Sequence, residues 1–159
     1  MRKRELKNEE RRGHQNATHV IELSHGDIAA VTPDEWGVFW VPLLTLGARE
    51  IFCVVECEVI DGFRDSSDPA FDSTLMTIID AGANYTFTGG IEMNRNSSGR
   101  KYRLKGDQTL YAEYPEGTIV YANIVISLGK SAADLDRGGA NIYIRGQPDS
   151  TIVEEEIEK

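Results

Sequence analysis

Alternating apolar and polar positions recur along the chain from residue 38 onwards, and this pattern predicts strands. The two longest runs are residues 51–60, IFCVVECEVI, and residues 118–128, TIVYANIVISL. Because successive side chains of a strand point to opposite faces, each run has one wholly apolar face. Shorter alternating or apolar runs of strand length cover residues 38–45, 75–79, 85–91, 102–104, 110–114 and 140–145.

About eight strands separated by turn residues, with no helical periodicity longer than two turns, indicate one fold class. We predict an all-β protein, an antiparallel β-sandwich or jelly roll. One helical turn is expected at residues 32–35, where Thr32 is suited to cap it and Pro33 to occupy its first position.

The run at residues 51–60 contains two cysteines and two glutamates, whose side chains are reactive or ionisable. Strict alternation puts Cys53 and Cys57 on the apolar face, roughly 13 Å apart, which is too far for a disulfide between them. We therefore expect both thiols to be reduced core residues. Alternation puts Glu56 and Glu58 on the opposite face, where they contact solvent or a neighbouring subunit.

The charge distribution divides the chain into three parts. Residues 1–12 hold six of the 17 Lys and Arg but three of the 26 acids, which gives this segment +3 and leaves −12 for the remainder. We predict an extended charged N-terminal arm at 1–37, ordered only on a partner, a jelly-roll-like β-sandwich domain at 38–147, and an acidic tail at 148–159.

Several classes of protein fit this composition badly. No run of 18 apolar residues is present, and the charged start lacks the apolar segment of a secretory signal, so we expect neither membrane insertion nor export. An acidic body is also a poor partner for nucleic acid, since phosphate contacts need Lys and Arg. We expect the protein to stay in the cytoplasm, where it is made.

Two groups of residues invite a binding hypothesis. An acidic loop and the segment 134–139 offer carboxylates to calcium, although a solvated loop is the simpler interpretation. The loop carries Asp61, Asp65, Asp68 and Asp72. Aromatic side chains are able to line a sugar-binding groove or to belong to an ordinary core. They are Trp36, Trp40, Tyr85, Tyr102, Tyr111, Tyr114 and Tyr121.

Motifs for catalysis are missing from the sequence. It has no phosphate-binding glycine loop, no Gly-x-Ser-x-Gly and no His-Glu-x-x-His, and its three histidines, His14, His19 and His25, fall in the predicted arm. We expect no enzyme, and we assign no catalytic, cofactor-binding or metal-ligating residue.

The order of features resembles the jelly-roll-like capsid decoration, or cement, proteins of tailed bacteriophages. The resemblance covers residues 39–146. It includes IFCVVECEVIDGF, LMTIIDAGANYTFTGG, YRLKGDQTLYAEYPEGTIVYANIVISLG and ANIYIRG. The long charged start and the short Asp80-Ala81-Gly82 run depart from the usual pattern.

The resemblance implies a virion protein on the capsid exterior. Such a protein binds the major capsid protein, commonly as a homotrimer, and links neighbouring capsid subunits. The charged arm would then contact capsid or neighbouring copies. The alternative function is a carbohydrate- or receptor-binding module of a phage fibre or tail.

Overall fold

The fold was obtained as a computed structural model, which describes residues 1–46, 51–68, 74–80, 90–103, 112–113, 116–126 and 131–146. These residues form ten strands and two short α-helices. The strands are β1 (Arg2–Glu5), β2 (His19–Ser24), β3 (Phe39–Thr45), β4 (Ile51–Arg64), β5 (Thr74–Asp80), β6 (Ile91–Glu92), β7 (Lys101–Arg103), β8 (Ala112–Glu113), β9 (Ile119–Ile126) and β10 (Arg137–Gly146). The helices are α1 (Asn8–Gly13) and α2 (His25–Ala29).

Two antiparallel sheets make up the molecule, which confirms the predicted all-β sandwich. Sheet A has the strand order β1-β2-β10-β4-β7, and β8 also pairs with β4. Sheet B has the order β3-β9-β5-β6. The two longest sequence runs therefore lie in different sheets, β4 in sheet A and β9 in sheet B.

The main core fills the space between the inner faces of the two sheets. Fully buried aliphatic and aromatic side chains from both sheets meet there, and this burial is the chief source of stability in such a sandwich. Sheet A contributes Ile21, Cys57, Phe63 and Ile142, and sheet B contributes Val41, Met76, Ala122 and Ile124, among others.

Strand β4 departs from the strict alternation that its sequence predicts. Its pairing with β10 shifts register between Glu56 and Val54, opposite Tyr143 and Ile144. Because of this irregularity, Val54 joins Cys57 in the main core, whereas Val55 packs in a second cluster. Val55 was predicted to share the apolar face of Cys57, but its side chain lies on the opposite face of sheet A. An extra residue in one strand has this effect, because the side chains beyond it switch faces.

The predicted arm at 1–37 is instead part of the sandwich. β2 pairs with β10 over six residues, and β1 pairs with β2 at the edge of sheet A. Ile21 and Ile28 are buried in the main core. The sequence did not predict that β1 and α1 are ordered, because both are highly charged. In the fold these charges form ion pairs with one another.

Other local predictions have mixed outcomes. β3, β5, β7 and β9 confirm predicted strands, while most of 85–91, most of 110–114, and the tail 148–159 lie outside the described residues. The helical turn expected at 32–35 was wrong, because Asp34 organises a tight turn there. The helix forms earlier, at α2, where Ser24 and Asp27 make a capping box.

Candidate functional site

The outer face of sheet B is the first candidate, because large apolar side chains there meet solvent. Alternation along β3, β5 and β9 directs nine described side chains away from the main core, and none of them is charged. Thr45 and Ile119 pair with each other at the end of β3 and the start of β9, and the other seven are grouped together. We call this set the neutral face. It consists of Trp40, Pro42, Leu75, Thr77, Tyr121, Asn123 and Val125.

Two aliphatic residues form the most exposed part of the neutral face. Leu75 and Val125 are paired across β5 and β9 and are 43% and 40% exposed. Directly opposed side chains on one face of an antiparallel pair touch each other, so these two form a continuous apolar surface. Glu92, which pairs with Leu75 on the edge strand β6, puts one carboxylate at the rim.

Aromatic residues form the other end of the neutral face. Trp40 and Tyr121 meet edge to face, with ring centroids 5.6 Å apart at 88°. The Trp40 indole Nε1 donates to Asp34 Oδ2 at 2.9 Å, which fixes the ring. This bond, with the Val38 and Trp36 amides, keeps the pKa of the Asp34 carboxyl below its usual value.

Trp36 extends from the same turn and is 79% exposed, the largest exposure of any bulky apolar residue described. Its backbone amide donates to Asp34 Oδ1 at 2.9 Å, so the turn that fixes Trp40 also holds the backbone of Trp36. An exposed indole on an ordered turn is available for contact with a partner or a sugar ring.

The outer face of sheet A is the second candidate, and here the chain covers itself. Residues 6–17 lie over β2, β4 and β10, and Leu6 and Ala17 pack with Val20, Val55 and Tyr143 in a second apolar cluster. We call this surface the covered face. Its central charged residue is Glu56, which is fully buried.

Glu56 is paired with a histidine from the covering segment. His14 Nδ1 lies 2.7 Å from Glu56 Oε2, and the imidazole stacks on the Tyr143 ring at 3.8 Å between centroids. The expectation that Glu56 faces solvent or another subunit was wrong. This pairing could not be predicted from the sequence, because His14 lies 42 positions from Glu56 along the chain.

The covered face also suppresses the acidity of its phenol. The Tyr143 hydroxyl donates to Glu58 Oε1 at 3.3 Å. Burial, with the nearby Glu58 charge, raises the pKa of Tyr143 to about 12. On the opposite side of β4, burial likewise raises the pKa of the Cys57 thiol to about 12, which makes this core cysteine a poor nucleophile.

A polar groove at the end of β4 is the third candidate. It has a volume of about 550 Å³ and is lined by Asp61, Arg64, Ser66, Arg95, Asn96 and Ser98. Arg64 lies 2.6 Å from Asp61, and Arg137 lies 3.3 Å from the same carboxylate. Partial burial opposes the charge of Asp61, but the Ser98 and Arg64 hydrogen bonds and the Arg137 charge keep its pKa below the usual value.

This geometry bears on the calcium hypothesis for the acidic loop. The Asp61 carboxylate already contacts two arginines and accepts a hydrogen bond from Ser98. Asp65 accepts a hydrogen bond from Ser67. Asp72 lies outside the described residues. Within the part of the chain that the structure describes, no three His, Cys, Asp or Glu side chains are grouped to hold a metal ion.

The aromatic residues singled out in the sequence are divided by the fold. Trp40 and Tyr121 belong to the neutral face, with Trp36 beside it, whereas Tyr102 packs against the main core. Tyr85, Tyr111 and Tyr114 lie outside the described residues. Sequence reasoning missed Leu75 and Val125, although their alternation with buried neighbours was a usable signal.

Comparison with protein-family models, with curated proteins and with solved structures finds no match to this chain. Among the residues described, no helix is long and apolar enough to cross a membrane.

Proposed function

We propose that this protein is a viral structural protein that binds the outside of a phage capsid and stabilises it by linking neighbouring major capsid subunits. The observation that carries the proposal is the neutral face, which leaves Leu75 and Val125 exposed on a flat sheet surface. An uncharged, partly apolar surface of this kind suits contact with another protein.

The chemistry of the neutral face suits a broad protein contact. Its seven residues carry no charge in a chain with a net charge of −9, so docking there requires little desolvation of ions. Apolar area removed from water contributes about 25 cal/mol per Å². Aromatic residues such as Trp40 and Tyr121 are also enriched among the residues that dominate binding energy.

The partner is named by the resemblance to capsid decoration proteins given above. It leads us to propose the major capsid protein as partner, a homotrimer as the assembled form and the capsid exterior as the location. The protein acts in this proposal by binding alone, without catalysis.

Co-sedimentation with empty capsids of the phage that encodes the chain tests this function. Leu75→Glu with Val125→Glu introduces two charges into the contact and should weaken capsid binding at least tenfold. The matched control is Ile60→Glu, because Ile60 is an aliphatic residue of β4 in the other sheet and is 54% exposed. Binding by the double variant at the unaltered level would contradict the proposal.

A second candidate function has one observation in its favour. The exposed Trp36 indole extends from the Asp34 turn that also fixes Trp40, and exposed aromatic faces stack on sugar rings, which fits a carbohydrate- or receptor-binding module of a phage fibre or tail. Titration with host surface polysaccharide, followed by tryptophan fluorescence, should then saturate. Trp36→Ala should abolish the response while leaving capsid binding unchanged.

A further inference from the structure

We propose that residues 1–14 are exchanged between copies of this chain, so that each copy's segment completes sheet A of another copy. We call residues 1–14 the exchange segment. The partner is thus a further copy of the chain, in a dimer or in a closed ring such as a trimer. This inference goes beyond capsid binding and does not depend on it.

The exchange segment holds itself together as a unit. Arg4 lies 3.0 Å from Glu10, and Arg11 lies 3.2 Å from Glu5, so ion pairs join β1 to α1 in both directions. The Arg11 Nε also donates to the Leu6 carbonyl at 3.0 Å. Because these contacts lie within the segment, they survive when it moves from one copy to another.

The surface that receives the segment is the same on every copy. β1 pairs with four residues of β2, and Arg2 and Arg4 lie 3.4 and 3.8 Å from Glu22. Leu6 enters the second apolar cluster, and His14 pairs with the buried Glu56. An exchanged segment recovers each of these contacts on its new host, which is the general reason that exchange costs little enthalpy.

The connection between the segment and β2 supplies the driving force. Gln15 and Asn16 have φ angles of 54° and 60°, two successive non-glycine residues in the left-handed region. This conformation is strained for L-residues, although Asn tolerates it better than most. A tight reversal here folds the segment back on its own chain, and an extended connection to another copy removes the strain.

Exchange also gives up contacts that depend on the reversal. The Asn16 amide donates to the Arg11 carbonyl at 2.7 Å, and the Gln15 side chain donates to the Val55 carbonyl at 3.0 Å. The closed monomer and the exchanged oligomer are therefore similar in free energy, so the protein concentration decides which form predominates. The connection between the segment and β2, residues 15–18, spans about 13 Å when extended, so copies that exchange must lie close together.

Charge favours contact between copies at this segment. Residues 1–12 carry +3 and the rest of the chain −12, so the segment is attracted to an acidic body, whether its own or a neighbour's. On a capsid, where copies are held side by side, the effective concentration of neighbouring bodies rises and favours exchange.

Light scattering of the purified protein over rising concentration, without capsids, tests the inference. Asn16→Pro forbids positive φ and should raise the oligomer fraction at least tenfold at a fixed concentration. Gln15→Gly with Asn16→Gly relieves the strain of the closed form and should lower the oligomer fraction about tenfold. Asn16→Pro that folds and stays monomeric would overturn the proposal.

A disulfide trap separates exchange from any other association, and it keeps the test valid if Asn16→Pro does not fold. Arg2 and Glu22 are direct cross-strand partners, so Arg2→Cys with Glu22→Cys can link the exchange segment to its host strand. Oxidation at high concentration should give covalent oligomers on a non-reducing gel. Only monomer with an internal link would overturn exchange. Leu75→Glu with Val125→Glu should leave the covalent oligomers unchanged, whatever happens to capsid binding.

Discussion

The chain covers part of the outer face of sheet A, where Ile60 stays exposed, and leaves Leu75 and Val125 exposed on the outer face of sheet B. Sheet A carries charged residues such as Glu56 on its outer face, and the chain covers them with its own N-terminal residues. Sheet B carries Leu75 and Val125 and leaves them in contact with solvent. A monomer optimised for its own stability would bury the apolar face first. The contrast fits our proposal that the neutral face is kept for a partner.

The largest effect is expected from breaking the covered face. His14→Ala leaves the fully buried Glu56 carboxylate without its histidine, which should lower the free energy of unfolding by about 3 kcal/mol. Urea denaturation measures this. His25→Ala is the matched control and should cost less than about 1 kcal/mol, because His25 makes one long contact to the Gly138 carbonyl. A loss below 0.5 kcal/mol for His14→Ala, on the order of a typical surface change, would show that the covered face is not held by this pair.

A smaller effect is expected from ionising the phenol of the covered face. The pKa of Tyr143 is about 12 in the folded protein, above its ordinary value of 10.0, so the folded state keeps the proton longer than the unfolded state does. The unfolding free energy should therefore fall as the pH rises from 10 to 12, by about 2 kcal/mol from this group. Tyr143→Phe should lack that part of the decline. Parallel pH profiles for the two proteins would contradict the assignment.

The smallest effect on stability is expected on the neutral face. Leu75→Thr and Val125→Thr should each change the unfolding free energy by less than about 0.5 kcal/mol, since both side chains already meet water. Met76→Thr, next to Leu75 but fully buried, should cost at least about 2 kcal/mol. Equal losses at residues 75 and 76 would mean that the neutral face is part of the core.

The sequence was a good guide to sheet B and a poor guide to sheet A. In β9, Val120, Ala122 and Ile124 alternate without interruption, so both the strand and its buried face were predictable. In β4, the irregularity beside Val55 leaves no mark in the alternation. β1 has no apolar pattern at all, because it is a strand through its pairing with β2.

The candidate sites differ in the same way. The exposure of Leu75 follows from local alternation with the buried Met76 and was open to prediction. The burial of Glu56 depends on His14 and Tyr143, which lie far from it along the chain and come together only in the fold. Local patterns predict which residues share a face, but tertiary contacts decide which face is covered.

Hydroxyl-radical footprinting of the protein, free and bound to capsids of the phage proposed to encode it, tests the central claim most directly. It measures the solvent access of each side chain in one experiment. We predict that Leu75, Trp40, Tyr121 and Val125 lose reactivity on binding while Ile60, exposed on the other sheet, keeps it. Protection of Ile60 with unchanged reactivity on the neutral face would contradict the account.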